Sequence, residues 1–198
     1  MLTLNAKNAF RVLTKYLGEK NPTQYEHSIR VAQTCMILAP KWNVSVEDSV
    51  IAALLHDIGK SFSRKGMLSF CARNNLPLYD FEIYDNLAAT HGKVSAALFE
   101  REFENTDSDR FNSIYDAIIA HVAGGENMSD LAKVLFIADN VEPNKRNGLL
   151  KMIQDGEITS PDDCIKKIIE AKLERAESKH MAPNPFLDCT LESLGDER

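Results

Sequence analysis

An imidazole and a carboxylate lie side by side at the end of an apolar run, and this arrangement limits how the chain can fold. Residues 49–55 read Ser-Val-Ile-Ala-Ala-Leu-Leu, His56 and Asp57 follow, and Gly59 provides a helix stop. The run has the composition of a buried helix, and a buried carboxylate without a partner is costly. The fold must therefore place a cation close to Asp57.

A second carboxylate, Asp139, lies inside another apolar run, residues 135–141, and needs a cation for the same reason. The chain contains five histidines, and three besides His56 lie inside or at the end of apolar-periodic segments: His27, His91 and His121. The fifth, His180, closes a long charged helix, where a cation suits the helix dipole, and we interpret it as structural.

Most segments of the chain have helical periodicity, and alternating β-type runs are nearly absent. Capping residues predict the helix starts, and glycines and prolines predict the stops. The predicted helices cover Asn21 to about Ala39, Ser45 to Gly59, about Met67–Arg73, about Asp85 to Phe103, Asp107 or Ser108 to His121, Ser129 to Pro143 and Ser160 to about His180. The sequence thus predicts an all-α helical bundle with a metal site in its core.

The length of 198 residues suits a single domain, 1–198, that ends in a C-terminal helix and tail over about 160–198. The tail begins at Met181 and contains Pro183 and Pro185. Two arrangements stay open for it: it wraps back on the domain, or it extends into solvent.

The formal net charge of −6 argues against general nucleic-acid binding, which normally requires a basic face. It does not exclude a small anionic ligand, because local cations matter more than the total. Six cations lie near the candidate residues in sequence: Lys60, Arg64, Lys65, Lys93, Lys145 and Arg146. For any one of them, a solvated helix face is the simpler interpretation.

The four cysteines show no C-x-x-C spacing, and no long apolar segment begins the chain. They are interpreted as reduced and mostly buried thiols. No apolar run approaches the ~18 residues of a membrane span. We therefore expect a cytoplasmic protein, and dimers are common among compact proteins of this size.

Four of the candidate residues form a set suited to a divalent metal: His27, His56, Asp57 and Asp139. Two imidazoles and two carboxylates favour iron, manganese, cobalt or zinc over magnesium. Four ligands on an octahedral ion leave two positions, for water and for a substrate oxygen. His91 and His121 have two open roles, as ligands of a second metal or as phosphate contacts, and Lys60 is a natural charge for phosphate.

These residues resemble the HD-domain metal-dependent phosphohydrolases, which have a first His, a His-Asp pair, two intervening histidines and a late Asp. Within that family the chain is similar to the bacterial YqeK-type hydrolases, which convert diadenosine tetraphosphate into two ADP. The resemblance covers about residues 20–150. The matching stretches are Tyr25–Ser28, Leu54–Lys60, Thr90–Val94, Asn127–Ser129 and Ile137–Pro143.

The resemblance implies a metal-dependent enzyme with a dinucleoside polyphosphate as its small-molecule substrate. Its implied metal ligands are His27, His56, Asp57 and Asp139, with iron as the metal. Its implied catalytic residues are Asp57, His91, His121 and Lys60. The implied substrate contacts are His91, His121 and Lys60, together with Lys145 or Arg146.

One segment departs from the family pattern. Val122 follows His121 where the family pattern has a threonine, and Gly125 stands where it has an arginine. This departure affects substrate affinity or preference, whereas the metal ligands are unchanged.

Other functions share parts of this pattern. Nucleotidases, deoxynucleoside triphosphatases and guanosine tetraphosphate hydrolases of the HD type use the same metal residues. The cyclic-dinucleotide branch is disfavoured because the chain has no Gly-Tyr-Pro. Gly125 leaves open a non-catalytic nucleotide sensor. A purely structural all-α domain would have to explain buried Asp57 and Asp139 without a metal.

Overall fold

The computed structural model of the chain describes residues 1–84, 86–105 and 107–195. These residues form helices and contain no β-strand, only an isolated bridge between Leu2 and Phe103, so the all-α prediction is confirmed. The α-helices are α1 (Ala6–Tyr16), α2 (Pro22–Leu38), α3 (Val46–Leu55), α4 (Arg64–Arg73), α5 (Asp80–Tyr84), α6 (His91–Glu102), α7 (Ser108–Ala120), α8 (Asp130–Val141), α9 (Leu149–Gln154), α10 (Pro161–Ser178) and α11 (Phe186–Gly195).

The predicted helix starts are confirmed by their caps. Side chains of Asn21, Ser45, Asp107, Ser129 and Ser160 each accept a backbone N–H from the first turn of the helix that follows. Such caps satisfy donors that have no partner within the helix, and each contributes about 1 kcal/mol. Starts of this kind are fixed locally, and so they can be predicted from sequence.

Helix α3 ends at Leu55, and the prediction that it continues to Gly59 is wrong. Asp57 adopts φ −112° and ψ 8°, close to the bridge region in which active-site residues are often found. Gly59 then donates its N–H to Ser95 Oγ at 2.9 Å. A Cβ at position 59 would lie 2.6 Å from the backbone oxygen of His91. Tertiary packing on α6 therefore turns the chain away from the helix axis after Leu55.

The segment predicted as one helix from about Asp85 to Phe103 consists of two helical pieces. Its predicted start, Asp85, lies outside the described residues. A 3-10 turn covers Leu87–Thr90, and α6 begins at His91. Helix α1, which the sequence analysis did not identify, packs against α3.

The centre of the bundle is formed by α2, α3, α7 and α8, which pack against one another. Helices α3 and α8 are buried on nearly all sides, as expected for helices that are apolar around their circumference. The buried residues of α8 are Leu131, Ala132, Val134, Leu135, Phe136, Ile137, Ala138 and Val141. The candidate site lies where these central helices meet.

The C-terminal tail wraps back on the bundle, which is the first of the two arrangements considered. Leu187 and Leu194 of α11 are buried, and Thr190 donates to the backbone oxygen of Ala123 at 2.9 Å. Gly124 has φ +81°, and a Cβ there would lie 2.5 Å from Thr190 Oγ1. Glycine is therefore required at position 124. Among the helices described, none is both long and apolar enough to cross a membrane.

Candidate metal centre

Five elements bring six polar side chains together in the core. His27 comes from α2, the pair His56 and Asp57 from the end of α3, and Asp139 from α8. The remaining two are the first residue of α6, His91, and the residue that follows α7, His121. The side chains of His56 and Asp57 are fully buried, whereas that of Asp139 is 17% exposed. The cluster thus reaches solvent on the Asp139 side.

One half of the cluster combines His27, His56, Asp57 and Asp139. His27 Nε2 lies 2.9 Å from Asp139 Oδ1 and 3.6 Å from Asp57 Oδ2. His56 Nε2 lies 3.2 Å from Asp57 Oδ2 and 3.9 Å from Asp139 Oδ1. The four residues selected as metal ligands from the sequence therefore converge on one point.

The other half combines Asp57 with His91 and His121. Asp57 Oδ1 lies 3.1 Å from His91 Nε2 and 3.6 Å from His121 Nε2, and the two Nε2 atoms are 2.9 Å apart. Asp57 is common to both halves, with one carboxylate oxygen directed to each. Two groups of three residues share Asp57: His27, His56 and Asp57 form one, and Asp57, His91 and His121 form the other. In each group the ligand atoms are close enough to hold a metal ion.

The Nδ1 atoms of all four histidines are directed away from the centre. Those of His56 and His121 lie 2.6 Å from the backbone oxygens of Ala53 and Ile118. His91 makes the same contact with the oxygen of Ala88, and His27 Nδ1 faces the carboxylate of Glu142 at 3.3 Å. These oxygens accept hydrogen bonds, so they hold a protonated Nδ1 in each ring and leave Nε2 of each ring facing the centre.

The centre is therefore surrounded mainly by acceptors. In the described part of the chain, buried His56 Nε2 and Asp57 Oδ1 have no hydrogen-bond partner. Lone pairs of His91 and His121 that face each other at 2.9 Å repel unless a cation or a proton lies between them. Imidazoles fixed through Nδ1, together with carboxylates, are the usual surroundings of a protein-bound transition metal. The residues fit a divalent cation, and they support divalent-metal binding.

Burial and neighbouring groups shift several pKa values in the cluster. Burial lowers the pKa of His91 and of His121, and the facing Asp57 only partly offsets it, so both rings favour the neutral form. Burial raises the pKa of Asp57, but His56, His121 and His91 outweigh it and hold this pKa well below its usual value. The pKa of Asp139 is also lowered, because His27, His56 and Lys145 outweigh burial.

The predicted cations have different positions. Lys60 Nζ lies 2.8 Å from Asp57 Oδ2, and Lys145 Nζ lies 3.8 Å from Asp139 Oδ1. Arg146 is exposed, with φ +52°, and its guanidinium makes no ion pair with any carboxylate that the structure describes. His180 is exposed beyond the end of α10 and has no described contact with the cluster. Lys60 and Lys145 thus border the cluster, whereas Arg146 does not.

The structure adds two groups that the sequence analysis did not select. Gln24, one turn before His27 on α2, donates its amide N–H to Asp57 Oδ2. Glu142, one turn after Asp139, is buried and accepts from Arg30 Nε at 2.8 Å as well as facing His27. A spacing of three residues from a ligand on the same helix could have identified both.

The segment that departs from the family pattern lies beside the cluster. Val122 packs on α6, since a Cβ at Gly92 would lie 2.8 Å from Val122 Cγ2. A Cβ at Gly125 would meet no atom within 4 Å, and Gly125 does not have positive φ. The structure therefore has room for a side chain at position 125, although the chain has none there.

Comparisons with known proteins agree with this site. A sequence profile of the HD domain matches residues 24–144. The symmetrical bis(5'-nucleosyl)-tetraphosphatase of Bacillus subtilis is 31% identical over 142 residues, 72% of each chain. The enzyme of the same name from Staphylococcus aureus is 32% identical over 146 residues, 72% of this chain and 69% of that one.

A solved structure shows the same fold. The protein is described as a predicted HD superfamily hydrolase involved in NAD metabolism, from Clostridium acetobutylicum, and it is 22% identical. It superposes with a TM-score of 0.84 over 100% of both chains. Profile, relatives and fold lead to one conclusion: the chain belongs to the HD-domain hydrolases, in the group that contains the YqeK-type proteins.

Proposed function

We propose that this protein hydrolyses diadenosine tetraphosphate symmetrically to two ADP. The observation that carries the proposal is the convergence of four imidazole Nε2 atoms and the Asp57 and Asp139 carboxylates on one centre, a ligand set suited to divalent cations. The choice of substrate is supported by the names of the two bacterial relatives, each of which matches more than two thirds of its own length.

The proposed metal ligands are divided between two positions. His27, His56, Asp57 and Asp139 hold one cation, and Asp57, His91 and His121 hold a second. We propose iron, or manganese in its place, because the ligands are mixed imidazole and carboxylate. A cation bound there polarises phosphate oxygens and lowers the pKa of nearby water. This assignment favours the second-metal role of His91 and His121, because a neutral Nε2 lone pair repels a phosphate oxygen.

Hydrolysis at the centre of the substrate has a simple balance. The oxygen of water forms a bond to one β-phosphorus, and the bond from that phosphorus to the central bridging oxygen breaks. One ADP leaves with the bridging oxygen, the other keeps the oxygen of water together with one of its protons, and the second proton is released. The leaving group is a phosphate, so neutralisation of charge matters more than a strong general acid.

Lys60 is the residue best placed to neutralise that charge. Its ammonium lies 2.8 Å from Asp57 Oδ2, and its side chain is 35% exposed at the edge of the cluster. A fixed cation at this position stabilises negative charge that develops on the phosphate oxygens. Gln24 holds the same carboxylate oxygen from the α2 side and keeps Asp57 in one orientation.

We also propose that the substrate is a free nucleotide and that the protein is cytoplasmic. Cys35, Cys71 and Cys164 are free and buried, which suits a reducing compartment. Burial raises the pKa of Cys164 to about 12 and keeps that thiol unreactive. The acidic total charge of −6 is unfavourable for a nucleic-acid substrate.

Product analysis tests the proposed reaction. The protein is loaded anaerobically with iron or manganese, incubated with diadenosine tetraphosphate, and its products are separated by chromatography. ADP as the sole product supports the proposal. AMP together with ATP would show asymmetric cleavage and overturn the proposed position of the substrate. Binding without turnover would favour the sensor, the alternative that Gly125 left open.

A further inference from the structure

We call the six side chains of the candidate metal centre, His27, His56, Asp57, His91, His121 and Asp139, the acceptor cluster. Outside it, four cations surround one cavity between α8 and α10. The cavity has a volume of about 410 Å³, and no acidic residue lines it. We call it the cationic groove and define it by Lys145, Lys167, Lys172 and Arg175. Three of these cations lie on α10, outside residues 24–144 that match the HD domain.

The cations of the groove are not balanced by carboxylates. Among the described residues, no carboxylate oxygen lies within 4 Å of the charged groups of Lys167, Lys172 or Arg175. Lys145 has one such neighbour, Asp139 Oδ1 at 3.8 Å. Cations that line one cavity repel one another, and the chain as a whole is acidic. An anionic ligand removes this repulsion.

Lys172 extends from α10 toward the metal centre. Its ammonium lies 3.4 Å from the backbone oxygen of Val122, the residue after His121, and 4.7 Å from the centroid of the Phe136 ring. Burial lowers the pKa of Lys172 to about 8, while Asp139 raises it and Lys145 lowers it. Its charge therefore lies beside the loop that, by the family pattern, carries an arginine at position 125.

We propose that the cationic groove binds the polyphosphate chain of the substrate. The phosphates bound there belong to one ADP half, and the other ADP half lies on the opposite side of the scissile bond. Lys172 then supplies one of the cations of the groove from α10, beside the backbone oxygen of Val122. The identity of the substrate as diadenosine tetraphosphate rests on the proposed function. The ligand class, a polyphosphate, is inferred from the charges of the groove. Phosphate contacts of this kind fix the position of a ligand.

The position of the groove explains how central cleavage is selected. Lys145 lines the groove and lies 3.8 Å from Asp139, so its ammonium connects the metal centre with the cations of the groove. Symmetric cleavage requires one half of the substrate to be held so that only the central bridge lies at the reacting position. Lys167, Lys172 and Arg175 hold that half.

A pair of substrates tests the role of Lys172. The variants are Lys172→Met and a matched control, Lys166→Met, on the same helix but outside the groove lining. The substrates are diadenosine tetraphosphate and bis(p-nitrophenyl) phosphate, which lacks a chain that could enter the groove. Lys172→Met is expected to raise KM for diadenosine tetraphosphate about fivefold, the scale of one partly exposed charge contact. KM for the short substrate stays constant, and Lys172→Arg restores the wild-type value.

A loss of equal size with both substrates, or no change in KM, would overturn the proposal. A binding measurement separates it from the proposed function: inorganic tripolyphosphate is titrated into the same proteins by calorimetry. Binding weakened about fivefold in Lys172→Met and unchanged in Lys166→Met supports the groove even if diadenosine tetraphosphate is not hydrolysed. Hydrolysis to ADP with identical tripolyphosphate binding in all three proteins would leave the function standing and refute the groove.

Discussion

The acceptor cluster and the cationic groove have opposite chemistry, and Lys145 of the groove lies 3.8 Å from Asp139 of the cluster. The cluster is buried and directs the Nε2 atoms of His27, His56, His91 and His121 at two carboxylates, a ligand set suited to divalent cations. The groove is open and presents ammonium and guanidinium groups, so it requires an anion. A metal-dependent enzyme with a polyphosphate substrate needs both. The comparison shows that acceptor groups and cationic groups are kept in two separate regions.

The largest expected effect tests the cluster as a unit. Asp57 contributes an oxygen to each half, so Asp57→Ala removes a ligand from both cation positions. Turnover of diadenosine tetraphosphate should fall by more than about a hundredfold. Loss of a residue that only hydrogen-bonds to a metal ligand already costs up to about a hundredfold in activity. Steady-state kinetics of the metal-loaded variant measure this, with His180→Ala as a control that should retain full activity. Normal turnover in Asp57→Ala would refute the assignment.

A smaller effect is expected at the partner that orients His27. Glu142 faces His27 Nδ1 at 3.3 Å and is held by Arg30 at 2.8 Å. Glu142→Gln keeps the shape but weakens this orientation, and metal affinity should fall about 10- to 100-fold. Competition with a metal chelator measures the affinity, and exposed Glu157→Gln serves as the control. Equal affinities in the two variants would show that Glu142 acts only in folding.

The smallest effect concerns the groove and is seen in its pH dependence. The pKa of Lys172 is about 8, because burial lowers it and nearby Asp139 only partly offsets that. The ammonium form binds phosphate, so affinity is present below this pKa and is lost as pH rises through it. KM for diadenosine tetraphosphate should rise from pH 7 to 9 in the wild type. Lys172→Arg stays charged, so its KM should change less between pH 7 and 9. Lys145, Lys167 and Arg175 are common to both proteins and cannot cause a difference between the two profiles. Parallel profiles would contradict this role of Lys172.

The two regions also differ in how far the sequence predicts them. The cluster could be anticipated because Asp57 and Asp139 lie in apolar runs, where an ion must have a partner. Helix starts such as Asn21 and Ser129 could be predicted because capping is decided within one turn. In both cases the signal lies in a few consecutive residues.

The remainder depends on tertiary packing. Gln24 lies in the first turn of α2, but its amide reaches Asp57, 33 residues away. The end of α3 was placed too late because contacts of Gly59 with α6 turn the chain. Lys172 has the sequence context of a solvated helix face, and only the packing of α10 on α8 brings it beside Val122. Local pattern contains no information on such contacts.

The central claim is that the acceptor cluster holds divalent cations, and metal content measures it most directly. Protein reconstituted anaerobically with iron or manganese and freed of excess metal is analysed by mass spectrometry for metal bound per chain. The account predicts two ions per chain in the wild type and in His180→Ala, and one in His121→Ala, which retains the His27 half. Wild-type protein that binds no metal, or equal content in His121→Ala, would contradict the two-position cluster.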